Sequence, residues 1–458
     1  MKFVSAVFML LFVWLSAASA GTIVMTLSDY STGNTAYLDT ETGVFSDNAL
    51  PHFQDAFAKT DGAFLYIIEG LGADAVSKYN PSSIGAGKAI YQYSTGPGSS
   101  PHDIVFVGSK AYLILNSSTS IWVVNPDAAD EKSFKIGDID ISQWADGDGY
   151  PDAHLGFVYN GMVYVVLQCY DISQFTAGTP VLIVIDPSTD TIVDMDPSTE
   201  GIQGIDLIIK NPQEGALSGS TLYLAGTTYG ASDEGIMKVD LKDPLTTQVK
   251  VISEAAAGTS ITGVSILNAD YGIVWSFDAN WNKVGRLFSL RDYTIGAQLS
   301  VPDAGGGAVY VGGLLYVGSR DYEKPGLYVY NPFGKESTVM TKYYPTELPP
   351  YSIVYVGEMT QTEVSSEDEN PESFAILGSY PNPFNPGTTV SFTLDVQSTV
   401  TVDVFNAVGQ KVDRLAESSM SAGKHDIRWN AGAAPSGVYF IRVSNGITAK
   451  TAAVTLVK

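Results

Sequence analysis

The stretch Ser100–Pro126 reads SPHDIVFVGSKAYLILNSSTSIWVVNP, and its pattern returns along most of the chain. It holds two landmarks. The first is an apolar residue followed by an aromatic one inside a strand-like run, Ala111-Tyr112. The second is an apolar run that ends in Asn or Asp, often with proline next, Val123–Pro126. Short apolar runs bounded by Gly, Ser, Asn and Pro are typical of β-strands and turns.

The two landmarks alternate between residues 21 and 360. The first recurs at Leu65-Tyr66, Val163-Tyr164, Leu222-Tyr223, Val274-Trp275 and Leu315-Tyr316. The second recurs at Tyr37–Asp39, Lys78–Pro81, Val184–Pro187, Lys238–Asp240 and Val329–Pro332, with a degenerate copy at Arg286–Leu290. Units of about 40–60 residues with roughly four short strands each are typical of β-propeller blades. The 3.6-residue stripes of a helical solenoid are missing.

The repeat predicts an all-β fold, a seven-bladed β-propeller over residues 21–359, with six or eight blades as alternatives. Thr22–Leu27 supplies the landmark strand of one unit, but no inner strand precedes it. Tyr351–Val356 is a spare strand at the far end of the repeats. Pairing these two segments would close the ring and leave no unpaired sheet edge.

Composition excludes some partners. The 458 residues contain 25 Lys and Arg against 49 Asp and Glu, a net charge of −24 at pH 7. Such a surface repels phosphate backbones and anionic lipid, which argues against a nucleic-acid or membrane-surface binder. The single cysteine, Cys169, excludes an intrachain disulfide and a Cys-based zinc site.

Both ends of the chain carry further segments. Residues 1–20 combine Lys2, an apolar run and a small-residue ending at Ala20, which predicts a secretory signal peptide and no transmembrane segment after its cleavage. Residues 360–374 are acidic and almost free of large apolar side chains, which predicts a solvated linker. Residues 375–458 hold five or six short alternating strands, which predicts a small immunoglobulin-like β-sandwich.

The C-terminal segment resembles the type A sorting domain of the bacterial type IX secretion system. The matching motifs, in order, are Tyr380–Pro386 (YPNPFNP), Thr401–Val412, Trp429, Ser436–Ile441 and Lys450–Lys458. The resemblance implies recognition by the type IX secretion machinery and a secreted or cell-surface location outside the outer membrane. It implies no chemistry for this domain.

The repeats resemble the surface-layer-like, YncE-type propellers. The likeness lies in Ser100–Leu113 and in Val181–Val193 (VLIVIDPSTDTIV). Members of that group bind varied ligands, so the resemblance implies architecture only.

Three of the four histidines precede an aromatic landmark by a similar distance: His52, His102 and His154. These positions lie just before the inner strand that we expect ahead of each landmark strand, so the three imidazoles are predicted to face one mouth of the channel. Converging imidazoles suit a transition metal or an anionic ligand. The alternative is that each histidine caps its own turn.

Asp146, Asp148 and Asp152 occupy the loop DGDGYPD, and carboxylates spaced around a glycine turn suit Ca²⁺. Trp144 stands where a longer calcium loop would have its first Asp, and no Glu occupies a twelfth position. The alternative is an acidic Asx-turn without metal.

The sequence contains none of the common hydrolase, zinc-protease or nucleotide-binding motifs, so no catalytic residue is predicted. We therefore expect a binding module for carbohydrate, another surface protein or a structural contact. Tyr93, Trp144, Tyr150 and Trp281 are candidates for stacking on sugars, against the alternative of blade packing. The competing hypothesis is a lactonase-like hydrolase or a lyase, with Asp103–His102 or Asp152–His154 as an acid–base pair.

Overall fold

The computed structural model describes residues 21–228, 233–334, 336–357, 375–380, 382, 384–394, 398–406, 410–421, 423–432, 434–445 and 449–457. The predicted signal peptide and the predicted acidic linker lie outside these residues. The chain divides into two compact units, residues 1–363 and 364–458, which are described separately.

In the first unit, the described strands form seven antiparallel sheets of four or five strands, and all but the first and fourth sheets take only strands that are consecutive in the chain. The first sheet contains β1 (Gly21–Ser28), β2 (Gly33–Asp39) and β3 (Phe45–Ser46). The second contains β4 (Ala56–Thr60), β5 (Leu65–Glu69), β6 (Ala75–Tyr79) and β7 (Tyr91–Ser94). The third contains β8 (Pro101–Val107), β9 (Lys110–Leu115), β10 (Ser120–Val124) and β11 (Lys135–Asp140).

The fourth sheet is interrupted by a separate hairpin, β14 (Tyr170–Asp171) and β15 (Thr176–Ala177). Its own strands are β12 (Ala153–Tyr159), β13 (Met162–Leu167), β16 (Val181–Asp186), β17 (Thr191–Ile192) and β18 (Ile205–Asp206).

The last three sheets return to four strands each. The fifth contains β19 (Pro212–Ser218), β20 (Thr221–Gly226), β21 (Gly235–Asp240) and β22 (Val249–Ser253). The sixth contains β23 (Ile261–Ile266), β24 (Tyr271–Phe277), β25 (Lys283–Ser289) and β26 (Ile295–Gln298). The seventh contains β27 (Ala308–Val311), β28 (Leu314–Ser319), β29 (Gly326–Tyr330) and β30 (Met340–Pro345). The described helices of this unit are short: α1 (Glu254–Ala257) and the 3-10 turns Pro81–Ala86, Glu131–Ser133 and Ser142–Trp144.

One further strand, β31 (Pro350–Gly357), returns to the start of the chain and pairs with β1. The register sets Thr22 opposite Val356 and Val24 opposite Val354. The pairing predicted between the first and last strands of the repeats is therefore present. Because β31 completes the first sheet, β1 is paired on both sides and β31 takes the inner edge of the sheet.

Seven apolar clusters hold the sheets together, and each cluster lies between two consecutive sheets. Val24 and Leu65 share the cluster between the first and second sheets. Leu27 and Leu327 share the one between the seventh and the first, so the series of contacts returns to its beginning. Every residue of β5 is buried, as expected for a strand whose sheet is covered on both faces. The unit has the packing of a β-propeller.

The innermost strand is β31 in the first sheet and the first strand in each of the other six sheets. The innermost strands of neighbouring sheets contact each other, so they surround a common axis. Such contacts join β31, β4, β8, β12 and β19 each to the innermost strand of the next sheet. The strand that carries the aromatic landmark is the second of its sheet, and the innermost strand comes just before it, as expected. The continuous apolar character of the landmark strand reflects burial on both faces rather than a place at the axis.

The second landmark connects neighbouring sheets. The Lys78 ammonium lies 2.7 Å from the Asp127 carboxylate and 3.1 Å from the Pro126 carbonyl oxygen. The Lys110 ammonium contacts the carboxylate of Asp190 and the carbonyl oxygen of Pro187 at 2.7 and 3.0 Å. The Asn/Asp-Pro turns therefore accept a lysine from an earlier sheet.

The second unit consists of two antiparallel sheets around one core. One sheet contains β32 (Ala375–Tyr380), β33 (Gly387–Leu394) and β36 (Gly423–Asn430). The other contains β34 (Ser398–Asn406), β35 (Lys411–Met420), β37 (Gly437–Ser444) and β38 (Ala449–Leu456). Phe392 and Trp429 from the first sheet pack with Val402 and Ile441 from the second. This is a β-sandwich.

Candidate functional site

A β-bulge interrupts five of the seven innermost strands near their first residue, among the residues that the structure describes. The extra residues are Tyr351, His102, His154, Gln213 and Thr262. A bulge redirects the side chain of the extra residue away from the sheet. In β4, Phe57 holds the same second position with regular pairing. We call the end of the axis where these strands begin the mouth.

Two of the three predicted histidines meet at the mouth. The imidazole rings of His102 and His154 lie with their centroids 4.1 Å apart and their planes 32° apart. Nε2 of His154 is 3.1 Å from the carbonyl oxygen of Gln213, which can only accept, so Nε2 carries the hydrogen. Nδ1 of His154 is buried and has no hydrogen-bond partner among the described residues.

The histidine pair continues into a row of rings. His102 contacts Phe57 at 4.8 Å between centroids, Phe57 contacts Tyr351 at 5.4 Å, and Tyr351 meets Tyr30 edge-on at 6.1 Å. Phe57, His102 and Tyr351 are half-buried and Tyr30 is exposed. We call Tyr30, Tyr351, Phe57, His102 and His154 the aromatic row.

Arg320 stands beside the outer end of the aromatic row. Its guanidinium carbon lies 4.6 Å from the ring centroid of Tyr30 and 5.0 Å from that of Tyr351. The hydroxyl of Tyr351 donates to the Asp55 carboxylate at 2.7 Å. The mouth therefore combines flat apolar surfaces with a cation and a carboxylate.

His52 does not join the pair. Its Nδ1 lies 2.7 Å from the carbonyl oxygen of Phe53, and its Nε2 contacts the carbonyl oxygen of Asn34. It makes no ring contact with the other two histidines among the described residues. Strand β4 begins only at Ala56, so Phe57 rather than His52 takes the position equivalent to His102. His52 instead links the turn before β4 to the first sheet.

Burial keeps all three imidazoles neutral near pH 7. It lowers the pKa of His154 to about 4, although the bond to the Gln213 carbonyl acts in the opposite direction. Burial, the charge of His154 and then that of Lys59 hold the pKa of His102 well below 6.5. Burial also lowers the pKa of His52. Neutral imidazoles can accept hydrogen bonds or bind a metal.

The carboxylates beside these histidines have other partners. Asp103 pairs with the Lys59 ammonium at 2.7 Å and accepts from the Gly156 amide at 3.0 Å. Asp152 accepts from the Tyr170 amide at 2.9 Å. No hydrogen bond joins either carboxylate to a histidine in the described part of the chain. The acid–base pairs of the enzyme hypothesis gain no geometric support.

The three predicted calcium ligands lie together. One carboxylate oxygen from each of Asp146, Asp148 and Asp152 falls within 4.8 Å of the others. Backbone amides already donate hydrogen bonds to some of these carboxylates: Asp148 accepts from the amides of Tyr150 at 3.0 Å and Ile172 at 3.2 Å. These amide bonds also fit the Asx-turn alternative. Calcium at this loop stays a prediction.

Two carboxyl groups of the acidic loop have raised pKa values. Burial raises the pKa of Asp152 to about 7, and the charges of Asp148, Asp146 and Asp171 act in the same direction. The pKa of Asp146 is also raised, first by burial. Asp171, from the β14–β15 hairpin, was not predicted as part of this cluster, because no spacing rule connects an inserted hairpin to the loop.

The predicted sugar-stacking residues fall into two groups. Tyr93 is buried and stacks on Tyr91 at 4.3 Å, and Trp144 packs against the cluster between the third and fourth sheets, so both serve blade packing. Tyr150 and Trp281 are exposed, Trp281 at 68%.

Sequence analysis missed Phe57, Tyr351, Gln213, Tyr30 and Arg320. A proline precedes three of the bulged residues, in Pro101-His102, Pro212-Gln213 and Pro350-Tyr351, and that shared dipeptide position could have revealed two of the missed ones. Nothing in the sequence places Arg320 beside Tyr351, because the two lie in different sheets.

Comparison with known protein families identifies the C-terminal unit. Residues 379–457 match the family model described as the secretion system C-terminal sorting domain. This match confirms the predicted sorting domain and implies recognition by the type IX secretion machinery. The protein is exported, to the cell surface or beyond. A search of curated proteins by sequence found no match.

Solved structures resemble the chain in fold. A putative 6-phosphogluconolactonase from Bacteroides fragilis covers 74% of this chain and 98% of its own, with a TM-score of 0.51 and 13% identity. AztD from Citrobacter koseri covers 90% and 98%, with a TM-score of 0.44 and 14% identity. PorZ, a surface component of the type-IX secretion system of Porphyromonas gingivalis, covers 93% and 56%, with a TM-score of 0.39 and 16% identity. At such identities the likeness concerns fold and carries no activity.

Among the described residues, the search for long apolar helices found none that could cross a membrane.

Proposed function

We propose that the first unit is a closed seven-bladed propeller that serves, outside the cell, as a carbohydrate-binding module with its site at the mouth. The seven sheets, the seven inter-sheet clusters and the β31–β1 pairing support the ring. The sorting domain supports the extracellular setting.

The observation that carries the proposal is the aromatic row. Five rings from four consecutive sheets follow one another at centroid distances of 4.1 to 6.1 Å. Four of them, all except His154, expose part of their surface, although folded proteins bury most of their large aromatic side chains. Half-exposed rings with polar groups beside them suit ligands that have one apolar face and one hydroxyl-bearing edge. Sugar rings have this character.

Polar groups at the mouth supply the directional part of binding. The Asp55 carboxylate beside Tyr351 can accept from sugar hydroxyls, and the unpartnered Nδ1 of His154 is a buried acceptor. A buried acceptor without a partner costs about 1–3 kcal/mol, which a ligand hydroxyl would offset after a shift of the neighbouring ring. A transition metal is less well supported, because no described group of three potential ligands includes either histidine.

The proposal is tested with the full secreted chain on a panel of neutral and acidic oligosaccharides, by calorimetry. We expect at least one sugar to bind, and we expect Phe57→Ala and His102→Ala to weaken it by about tenfold or more. Tyr271→Ala is the matched control, because Tyr271 is exposed and begins β24 at the end opposite the mouth.

Two results would overturn the proposal. One is that no sugar binds, and the other is that both mouth variants bind like the parent. Turnover of a lactone or a polysaccharide that disappears in His102→Ala and His154→Ala would favour the competing enzyme hypothesis instead.

A further inference from the structure

The Arg320 side chain has an unused hydrogen-bonding edge. Its Nη2 is buried and has no partner, and its Nε makes no hydrogen bond to the described residues. Its Nη1 has only a long contact of 3.4 Å to the Pro350 carbonyl oxygen. The Nε–Nη2 edge of a guanidinium is a planar fork that matches the two oxygens of a carboxylate.

No carboxylate of the protein takes this fork. No described Asp or Glu lies within ion-pair distance of Arg320, although the chain has 49 acidic residues. The neighbouring carboxylates bind backbone amides: Asp303 accepts from Lys283 and Gly305, and Asp321 accepts from Glu323 and Lys324. The charge of Arg320 acts on Asp303, but no ion pair or side-chain hydrogen bond joins the two among the described residues, which is unexpected in a protein with a net charge of −24.

The two tyrosines hold the guanidinium at the rim of the mouth. Tyr30 and Tyr351 both contact it through their rings, and both belong to the aromatic row. Tyr30 is 61% exposed and lies in the turn after β1. Its ring can therefore move aside with little loss of packing, which would open Nη2 to a ligand.

We propose that Arg320 binds the carboxylate of a uronic acid unit whose neighbouring sugar rings lie along the aromatic row. This inference rests on the proposed carbohydrate function and names its substrate class. The overall negative charge disfavours densely charged polymers, so the preferred ligand carries isolated carboxylates among neutral sugars.

The test compares oligosaccharides that carry a single uronate with their methyl esters, which keep the sugar but lose the charge. The panel contains otherwise neutral oligosaccharides that each carry one galacturonate, glucuronate or mannuronate unit, and binding to the full chain is measured by calorimetry. We expect at least one free acid to bind about tenfold or more tighter than its own ester, since hydrogen bonds to charged groups are the strong ones. Arg320→Gln should abolish this preference, and Arg320→Lys should restore only part of it because lysine lacks the fork.

Lys342→Gln is the matched control. Lys342 is exposed and also lies over a tyrosine ring, that of Tyr344, but on the outermost strand of its sheet. It should leave the preference unchanged. The melting temperature of each variant shows whether it is folded. If Arg320→Gln does not fold, Arg320→Lys keeps the charge and still tests the need for the planar fork.

The outcomes separate the two proposals. Equal binding of acid and ester, or a preference that survives in both Arg320 variants, overturns the uronate inference while leaving carbohydrate binding intact. Absence of binding to every sugar overturns both. Arg320-dependent binding of a peptide through its C-terminal carboxylate, without sugar binding, also overturns the inference.

Discussion

The imidazole of His102 lies against that of His154 at 4.1 Å, and the two rings share the innermost position of neighbouring sheets. Burial is the main reason why the pKa of each ring is low, and the charge of His154 lowers the pKa of His102 further. In the unfolded chain the histidine pKa values are near 6.5, so below about pH 6.5 the unfolded chain binds protons that the folded chain does not bind. Stability is therefore lost as the pH falls from about 6.5 towards 4.

We predict that His154→Gln flattens this acid sensitivity. Each histidine contributes a slope of up to about 1.4 kcal/mol per pH unit in that window, and the variant removes one of them. Chemical denaturation at pH 7 and at pH 5 measures the effect. A parent and a variant that lose equal stability between these pH values would contradict the buried, neutral state of His154.

The raised pKa of the Asp152 carboxyl predicts the opposite dependence of stability on pH. Its pKa is raised from 3.8 to about 7, so the folded chain holds a proton that the unfolded chain releases. The contribution to stability is full below about pH 4 and is lost as the pH rises through about 7. Without divalent cations, Asp152→Asn should become relatively more stable than the parent as the pH rises from 5 to 8. An unchanged difference between the two proteins would show that Asp152 titrates normally.

Calcium should reverse that trend if the predicted site exists. Extracellular calcium sites have dissociation constants of about 0.1–1 mM, so 10 mM Ca²⁺ would stabilise the fold by about 1.4–2.7 kcal/mol. The measurement is the melting temperature with Ca²⁺ and with a chelator, where a rise of a few degrees is expected. Asp148→Ala should remove the rise. Equal melting temperatures in the parent would eliminate the site and favour the Asx-turn alternative.

Because β1 pairs with β31, we predict that truncating a core side chain in β1 destabilises the protein as much as truncating one in a central strand. Ile23 is fully buried in β1, and Leu113 is fully buried in β9. Both Ile23→Ala and Leu113→Ala should lower the free energy of unfolding by about 2–5 kcal/mol. Val249→Ala, at an exposed position of β22, should change it by at most about 0.5 kcal/mol. An Ile23→Ala cost near that control would mean that the first strand is not held in the ring.

The repeat predicted the fold because each sheet is a local unit. Strands such as β9 and β10 are neighbours in sequence and in space, so their apolar pattern appears directly in the chain. The return of Tyr351–Val356 to Thr22–Leu27 was also predictable, because one unit lacked a strand and the chain had one to spare.

The candidate site was only partly predictable. His102 and His154 share a spacing because they share a position in the repeat. Tyr351 and Arg320 come from sheets near the end of the chain, and they meet Tyr30 only because the ring brings the last sheet to the first. The residue types of a single sequence carry no signal for that tertiary contact.

The most direct test of carbohydrate binding at the mouth is a crystal structure of the protein with the tightest-binding oligosaccharide from the panel. We predict a sugar ring seated against Phe57 and Tyr351, with its chain reaching towards His102. A sugar bound elsewhere, with the aromatic row uncovered, would contradict the assignment of the mouth as the binding site.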